Sequence, residues 1–499
     1  MELDLIVIGG GPAGVVAALR ARELGAEVAL VERGEMGGTC TNDGCVPTRV
    51  LAKAARLLRE SEHFDEYGLV GQAPVVDLPQ LLRRTHEVIS AVHEKKQLLG
   101  YLRRAGVTVY ARAGQARFVD PHTIEMAAGR RLEAEKFIIC AGGHARKLTF
   151  PGSEHALTHE DIWRLPSLPR SMAIVGGSAA GCQLGSIFDA FGVQVSVLER
   201  GGQILDKEDD LLSTVMADAL RQRGLHIIEG ITGVERVERS EAGLELYYGQ
   251  DGQIHSLAVE AVLIAAGWPG NAESLNLPAA GVRAERGYVM VDDYLQTSAP
   301  HIFAAGDING RMMLVQSASH EARIAAENAV LGVGQPHAHR VVPHGGFTDP
   351  EYASVGLTEL AARASEPHLV VVVVPYTHLD RAIIDERTDG FCKLIVSQES
   401  HRILGAHIVG EQALEAIQLV AAGMAADMWV EQLAEMELAY PTYTAIVGLA
   451  ARQAVRELGV MPLAAEWRAL GDPYGAEWER AESMAGRTVP AAQQDPLWA

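Results

Sequence analysis

Basic residues are the scarcer charge: 43 Lys and Arg face 64 Asp and Glu, a formal net charge of −21 over 499 residues. That imbalance argues against nucleic acid as a partner, because a polyanion needs clustered Lys and Arg. It leaves dinucleotide binding open, since a helix N-terminus holds phosphate through backbone N–H groups. Cysteine is scarce too. Five in a chain of this size make no disulfide framework, so a bridge between two of them would be catalytic rather than structural. Long apolar runs are missing: stretches such as Leu369 to Pro375 fall far short of a bilayer span. The opening Met1-Glu2-Leu3-Asp4 has no basic region before an apolar stretch, so the expectation is a cytoplasmic protein without a membrane partner. With 48% hydrophobic and 21% charged residues the chain is globular, and about 150 residues per domain suggests three or four domains.

What is present is a repeated unit. Asp4 to Glu32 reads strand, glycine turn (Gly9, Gly11, Gly14), helix, strand; Ser171 to Glu199 reads the same with Gly176, Ser178 and Gly181 in the turn. In the first unit Gly9 permits the tight turn, Gly11 lets backbone approach a pyrophosphate, and Gly14 lets helix and strand pack closely. Glu32 closes the second strand, where a carboxylate can accept from ribose hydroxyls. In the second unit Ser178 is still small, and Glu199 disfavours a 2′-phosphate, which points to NAD(H), with the neighbouring Arg200 keeping NADP(H) open. The fold class expected is α/β, with two Rossmann-like dinucleotide-binding domains and a C-terminal α+β domain. The boundaries read 1–150 with 271–340 for the first nucleotide domain, 151–270 for the second, 341–460 for the C-terminal domain and 461–499 for a tail.

After the first unit comes Gly37-Gly38-Thr39-Cys40-Thr41-Asn42-Asp43-Gly44-Cys45-Val46-Pro47-Thr48-Arg49. Cysteines five apart on an ideal helix have Cα atoms roughly 8.5 Å apart, whereas a disulfide wants about 4.4–6.8 Å. A bridge therefore needs a distorted turn, which Gly44 can permit; two unbridged buried thiols are the other reading. Cys140, Cys182 and Cys392 read as small core residues. His337 and His339 have no evident third ligand, so no metal site is expected.

These segments resemble the FAD-dependent pyridine nucleotide–disulfide oxidoreductases, the family of dihydrolipoamide dehydrogenase, glutathione reductase and mercuric reductase. The resemblance runs from Asp4 to about Leu458 and is carried most specifically by the GGTCxNxGCxP pattern around Gly38, Thr39, Cys40 and Cys45. Further matches are Gly114-Gln115-Ala116, Cys140-Ala141-Gly142, Thr297 to Asp307, Phe347 to Glu351, and Gly405 to Gly410; a short apolar strand is also expected at Leu263 to Gly267. It implies FAD on the first unit, with Asp307 on the ribityl chain, and NAD(P)H on the second. It implies a redox-active disulfide, with Cys45 as the flavin-side thiolate and Cys40 as the interchange thiol. It also implies a homodimer through the C-terminal domain, with active sites built from both subunits.

Four positions depart from the pattern. Disulfide-reducing relatives carry His-Pro-x-x-x-Glu near the C-terminus, contributed by the opposite subunit, whereas this chain has Tyr440-Pro441-Thr442-Tyr443-Thr444-Ala445. A phenol titrating near 10 is a poor proton relay at neutral pH, so Tyr440 is an unusual catalytic candidate and ordinary disulfide turnover is expected to suffer. The lysine and glutamate that pair near the flavin in relatives are Arg49 and Gln183, a change from neutral to cationic. Mercuric reductase also lacks the dyad, but its C-terminal Cys-Cys pair has no counterpart in Gln493 to Ala499, and soluble transhydrogenases share Tyr-Pro-Thr without the cysteine pair. The readings are an NAD(P)H-dependent flavoprotein passing electrons through Cys40–Cys45 to an unidentified small-molecule or protein acceptor, a metal-ion or quinone reductase, a dihydrolipoamide dehydrogenase-like enzyme, or an FAD-retaining subunit without turnover.

Overall fold

A computed structural model describes residues 3–241, 243–338 and 341–460; the expected tail 461–499 and His339 lie outside them. The first unit of the sequence forms the centre of a seven-stranded sheet. Leu3–Ile8 pairs in parallel with Val28–Val31 on one side and Arg131–Ile139 on the other, with Ile8 opposite both Val31 and Ile139. Thr108–Tyr110 and Ile302–Ala304 extend the parallel array. Val28–Val31 is buried throughout, as a strand covered on both faces must be, and this explains continuous apolar runs in place of alternation. The helix Pro12–Glu23 starts with Pro at its first turn and buries Ala13, Gly14, Val15, Ala17, Ala18 and Ala21. Small side chains on that face allow close approach to the sheet.

The second unit repeats the design in a four-stranded parallel sheet ordered Ala261–Ile264, Ser171–Val175, Gln194–Leu198, His226–Ile228. A three-stranded antiparallel sheet, Gly233–Ser240, Gly243–Gln250 and Gln253–Val259, interrupts it in sequence. The strand expected at Leu263 to Gly267 runs instead over Ala261–Ile264, and Gly267, with φ +124°, lies past its end. The C-terminal part forms a five-stranded antiparallel sheet: His344–Gly346, Tyr352–Gly356, Ile403–Val409, Phe391–Ser397, Leu369–Pro375. The helices Ala413–Ala425 and Ala445–Leu458 pack on it. The architecture is therefore α/β with an α+β C-terminal part.

By contacts the chain divides into two compact units, Met1–Asp206 with Leu220–Val342, and Lys207–Ala219 with what is described from Pro343 onward. Lys207–Ala219 was expected inside the second nucleotide domain, and its grouping has an electrostatic cause. Asp209 takes the buried ammonium of Lys393 at 2.7 Å and the amide of Glu359 at 3.0 Å. Glu208 accepts from the Ser354 hydroxyl at 2.6 Å and lies 3.2 Å from His344. Pairing a buried charge is strongly favoured over leaving it alone. Among the described residues no helix is long and apolar enough to cross a membrane.

Candidate active site

The first glycine turn is held shut by its own acid. Oε2 of Glu32 accepts from the amide of Gly10 at 2.6 Å, and Oε1 from that of Gly34 at 2.7 Å. Gly9 has φ +113°, and a Cβ there would lie 2.2 Å from the carbonyl oxygen of Cys140. A Cβ on Gly14 would lie 1.8 Å from the oxygen of Gly9. Gly11 differs: a Cβ there would meet only the Cα of Gly38, at 3.7 Å. The helix N-terminus at Gly11 has no side-chain cap, so its amides face an open cradle suited to a pyrophosphate. Gly114 donates to the carbonyl of Arg33, and Ala116 begins the strand Ala116–Asp120. Gly142 accepts from the amide of Asn271, whose side chain donates to Ala141 and Gly143.

The amide of Gly37 donates to the carbonyl of Gly10, which places Gly38 and Thr39 against the same turn. The short helix Gly38–Asn42 then ends, and a second helix, Cys45–Ser61, begins. The break at Asp43-Gly44 is the kind of distorted turn that a bridge between these cysteines would need. The amides of Asp43 and Gly44 both donate to the carbonyl of Thr39, at 3.0 and 2.7 Å. Trp163 fixes the turn by donating to the Asp43 carbonyl at 3.0 Å. Both cysteines are free thiols, hydrogen-bonded to each other. The bond donated by Cys40 lowers Cys45 to about 7 against the opposing effect of burial, helped by its place at a helix N-terminus. The same bond, with burial, pushes the Cys40 thiol up. Lys96, which donates to Thr41 at 3.1 Å, adds a cation that favours thiolate at both.

Asp307 follows Gly306, whose amide donates to the buried Glu321 at 2.7 Å; Asn309 donates to the same oxygen. The Trp268 indole donates to Oδ2 of Asp307 at 2.9 Å. Burial raises the Asp307 carboxyl, and the indole partly offsets it. Trp268, Glu321 and Asn271 escaped the sequence reading because their contacts join remote segments without a local period. Asp43, His159 and Glu160 bring potential ligand atoms within 4.8 Å. Glu160 also lines a cavity of about 350 Å³ with Arg33, Thr158 and Asn271.

The second turn mirrors the first. Glu199 accepts from the amides of Gly177 and Gly201 at 2.6 Å each. Gly176 has φ +114° and sits over the carbonyl of Ala265, just before Gly267. A Cβ on Gly181 would lie 1.8 Å from the oxygen of Gly176, and Ser178 caps the helix Ala179–Ala190 without a side-chain bond. Gln183 is on that helix and Arg49 on Cys45–Ser61; the two helices pack together and share the ion pair Arg59–Asp189. Tyr440 belongs to the C-terminal unit, where it is 58% exposed and donates to Asp380 at 2.5 Å, while Ala445 is buried.

The chain matches the family model described as pyridine nucleotide-disulphide oxidoreductase over residues 3–322, and that family's dimerisation domain over 342–451. It is 34% identical over 424 residues to dihydrolipoyl dehydrogenase of Zymomonas mobilis, covering 84% of this chain and 90% of that one. It is 32% identical over 454 residues to mercuric reductase of Staphylococcus aureus, covering 90% and 82%. Among solved structures it resembles the Cu(II) complex of the HOCl-induced flavoprotein disulfide reductase RclA from Escherichia coli, with TM-score 0.80 and 28% identity over 91% of this chain and 99% of that one. The glycine cradles, the adjoining thiols and these matches converge: the chain belongs to the pyridine nucleotide-disulphide oxidoreductase family, enzymes that bind FAD and use NAD(P)H.

Proposed function

We propose that this enzyme moves electrons from NADH through FAD to the Cys40–Cys45 pair, and from there to an acceptor other than lipoamide or glutathione disulfide. The observation that carries the reading is the thiol pair itself, with an acidic Cys45 donated to by Cys40, in a chain whose Tyr440 and Ala445 stand where relatives have His and Glu. FAD bound here would supply a two-electron carrier between the nicotinamide and the cysteines. Residues 1–150 and 271–340 would hold it: Gly9, Gly11, Gly14, Gly38, Thr39, Gly114, Ala116 and Gly142 as cradle, Glu32 on the ribose, Asp307 on the ribityl chain. Residues 151–270 would hold NADH through Gly176, Ser178, Gly181, Glu199 and Gly267. Arg49 and Gln183 supply net positive charge beside the flavin. Residues 341–460 would form the homodimer, presenting Tyr440 to Cys40 of the partner subunit.

Cys45 would stand as thiolate on the flavin side, and Cys40, which donates to it, would attack the acceptor once a base removes its proton. A second reading, a metal-ion reductase, is favoured by the Tyr440 replacement and by similarity to mercuric reductase and to a protein solved with Cu(II). The test is anaerobic: NADH-reduced holoenzyme is mixed in turn with lipoamide, glutathione disulfide, a quinone, Cu(II) and Hg(II), following flavin reoxidation. Rapid reoxidation by lipoamide or glutathione disulfide would refute the proposal; preferential reoxidation by a metal ion would select the second reading.

A further inference from the structure

The lost dyad has a replacement for its carboxylate, and it comes from another element. In dyad-bearing relatives the orienting glutamate stands at the position of Ala445, on the helix that follows the histidine. Here Ala445 is buried and can orient nothing. The segment Tyr440 to Tyr443 is instead held from the side by the short helix Asp380–Ile384 and the residue after it. Tyr440 donates to Oδ2 of Asp380 at 2.5 Å, and Tyr443 donates to Oδ2 of Asp385 at 2.9 Å. Asp385 is fixed in turn by Arg381 Nε at 2.7 Å. The two phenols differ in setting. Tyr443 is 4% exposed and packs on Tyr376, whereas Tyr440 is 58% exposed in the single chain.

We propose that Asp380 is the positioning residue for Tyr440, and that the pair serves as the base for the interchange thiol; this rests on the reading above that Tyr440 meets Cys40 of the partner subunit. A carboxylate only accepts hydrogen bonds, so it fixes the Tyr440 proton on the Asp380 side and turns the phenol lone pairs outward. For attack, the single Cys40 S–H turns from Cys45 to Tyr440, which accepts it. As the Cys40 sulfur attacks one sulfur of a disulfide acceptor, its proton passes to Tyr440 Oη and the phenol proton to Asp380. The Cys40–acceptor S–S bond forms, the acceptor's own S–S bond breaks, and its second sulfur leaves as a thiolate, beside a neutral phenol and a neutral acid. The acid releases its proton to solvent, so no tyrosinate has to form. The bond to Cys45, with burial, pushes the Cys40 thiol up, which is why it needs a base.

Full-length holoenzyme is reduced with one equivalent of NADH, and its reoxidation by hydroxyethyl disulfide is followed from pH 6 to 9. Asp380→Ala and Tyr440→Phe should each slow reoxidation about tenfold or more at pH 7. The double variant should be no slower than either single one. The wild-type to variant ratio should shrink as hydroxide replaces the base, and Asp380→Glu should recover part of the rate. A ratio constant across pH, wild-type rates in Asp380→Ala, or multiplying effects in the double variant would overturn the role of Asp380. If Tyr440→Phe alone is without effect, the acceptor-side reading of Tyr440 fails and this inference with it.

Discussion

The indole N–H of Trp268 meets Oδ2 of Asp307 at 2.9 Å, tying the end of the second nucleotide sheet to the turn that resembles the family's second flavin motif. A hydrogen bond to a partly exposed carboxylate contributes about 1–2 kcal/mol. Trp268→Phe should therefore lower both thermal stability and FAD retention. Burial raises the Asp307 carboxyl and the indole pulls it back, so the variant's carboxyl lies higher still. Its stability deficit should be largest where Asp307 is ionised and should shrink as pH falls and the acid protonates. Thermal unfolding from pH 4 to 8 measures this, and a deficit that grew on acidification would contradict it.

Two glycines of the first turn should behave differently. A Cβ on Gly14 would lie 1.8 Å from the carbonyl oxygen of Gly9, so Gly14→Ala should unfold or displace the turn. A Cβ on Gly11 meets only Gly38 Cα at ordinary contact distance. Gly11→Ala should keep the apoprotein's melting temperature and lose FAD affinity about tenfold or more, since a methyl group keeps the pyrophosphate from the backbone. Melting of the apoprotein and FAD titration separate the two effects.

Cys45, lowered to about 7 by the bond from Cys40, should alkylate with iodoacetamide in reduced enzyme with a pH midpoint near 7. Cys40→Ala removes the donor and leaves burial in place, so the midpoint should rise. The folded value lies below that of a free thiol, so the pairing contributes stability above the unfolded thiol's titration and loses it as pH falls through about 7. Mass spectrometry of alkylated peptides against pH checks the midpoint and its owner.

Glu199 holds the amides of Gly177 and Gly201 as Glu32 holds those of Gly10 and Gly34. Wild-type enzyme should prefer NADH, and Glu199→Ala with an arginine added nearby should raise NADPH use relative to NADH. The substitution also orphans two amides, so a loss of about 1–3 kcal/mol in stability should accompany it. Steady-state kinetics with both nucleotides and a melting curve test the two parts.

The parts of this protein that were legible in its sequence are those that local chemistry dictates. Glycines at fixed offsets announced both turns, and a bridge between Cys40 and Cys45 would need a distorted turn, which the structure has at Asp43-Gly44. What was not legible depends on distant pairing. Nothing near Asp209 signals its pairing with Lys393, 184 residues on, and nothing near Tyr440 points to Asp380. Trp268 and Glu321 are of the same kind: each acts on the Gly306-Asp307 turn from another segment.

The most direct test of the central claim compares two half-reactions in one enzyme. Exchanging a His–Glu dyad for a phenol costs part of the about 10²–10⁴-fold that a positioned general acid–base supplies, but hydride transfer from NADH uses neither. Anaerobic NADH should therefore reduce the flavin readily, with a thiolate–flavin absorption band that disappears in Cys45→Ser. Turnover with lipoamide should be slow, and Tyr440→His with Ala445→Glu should raise it without changing the reduction by NADH. The decisive measurement is kcat/KM for lipoamide in wild type and in that double variant. A rise of about tenfold or more is the predicted result; a wild type already as fast as dyad-bearing relatives, unimproved by the double variant, would contradict it.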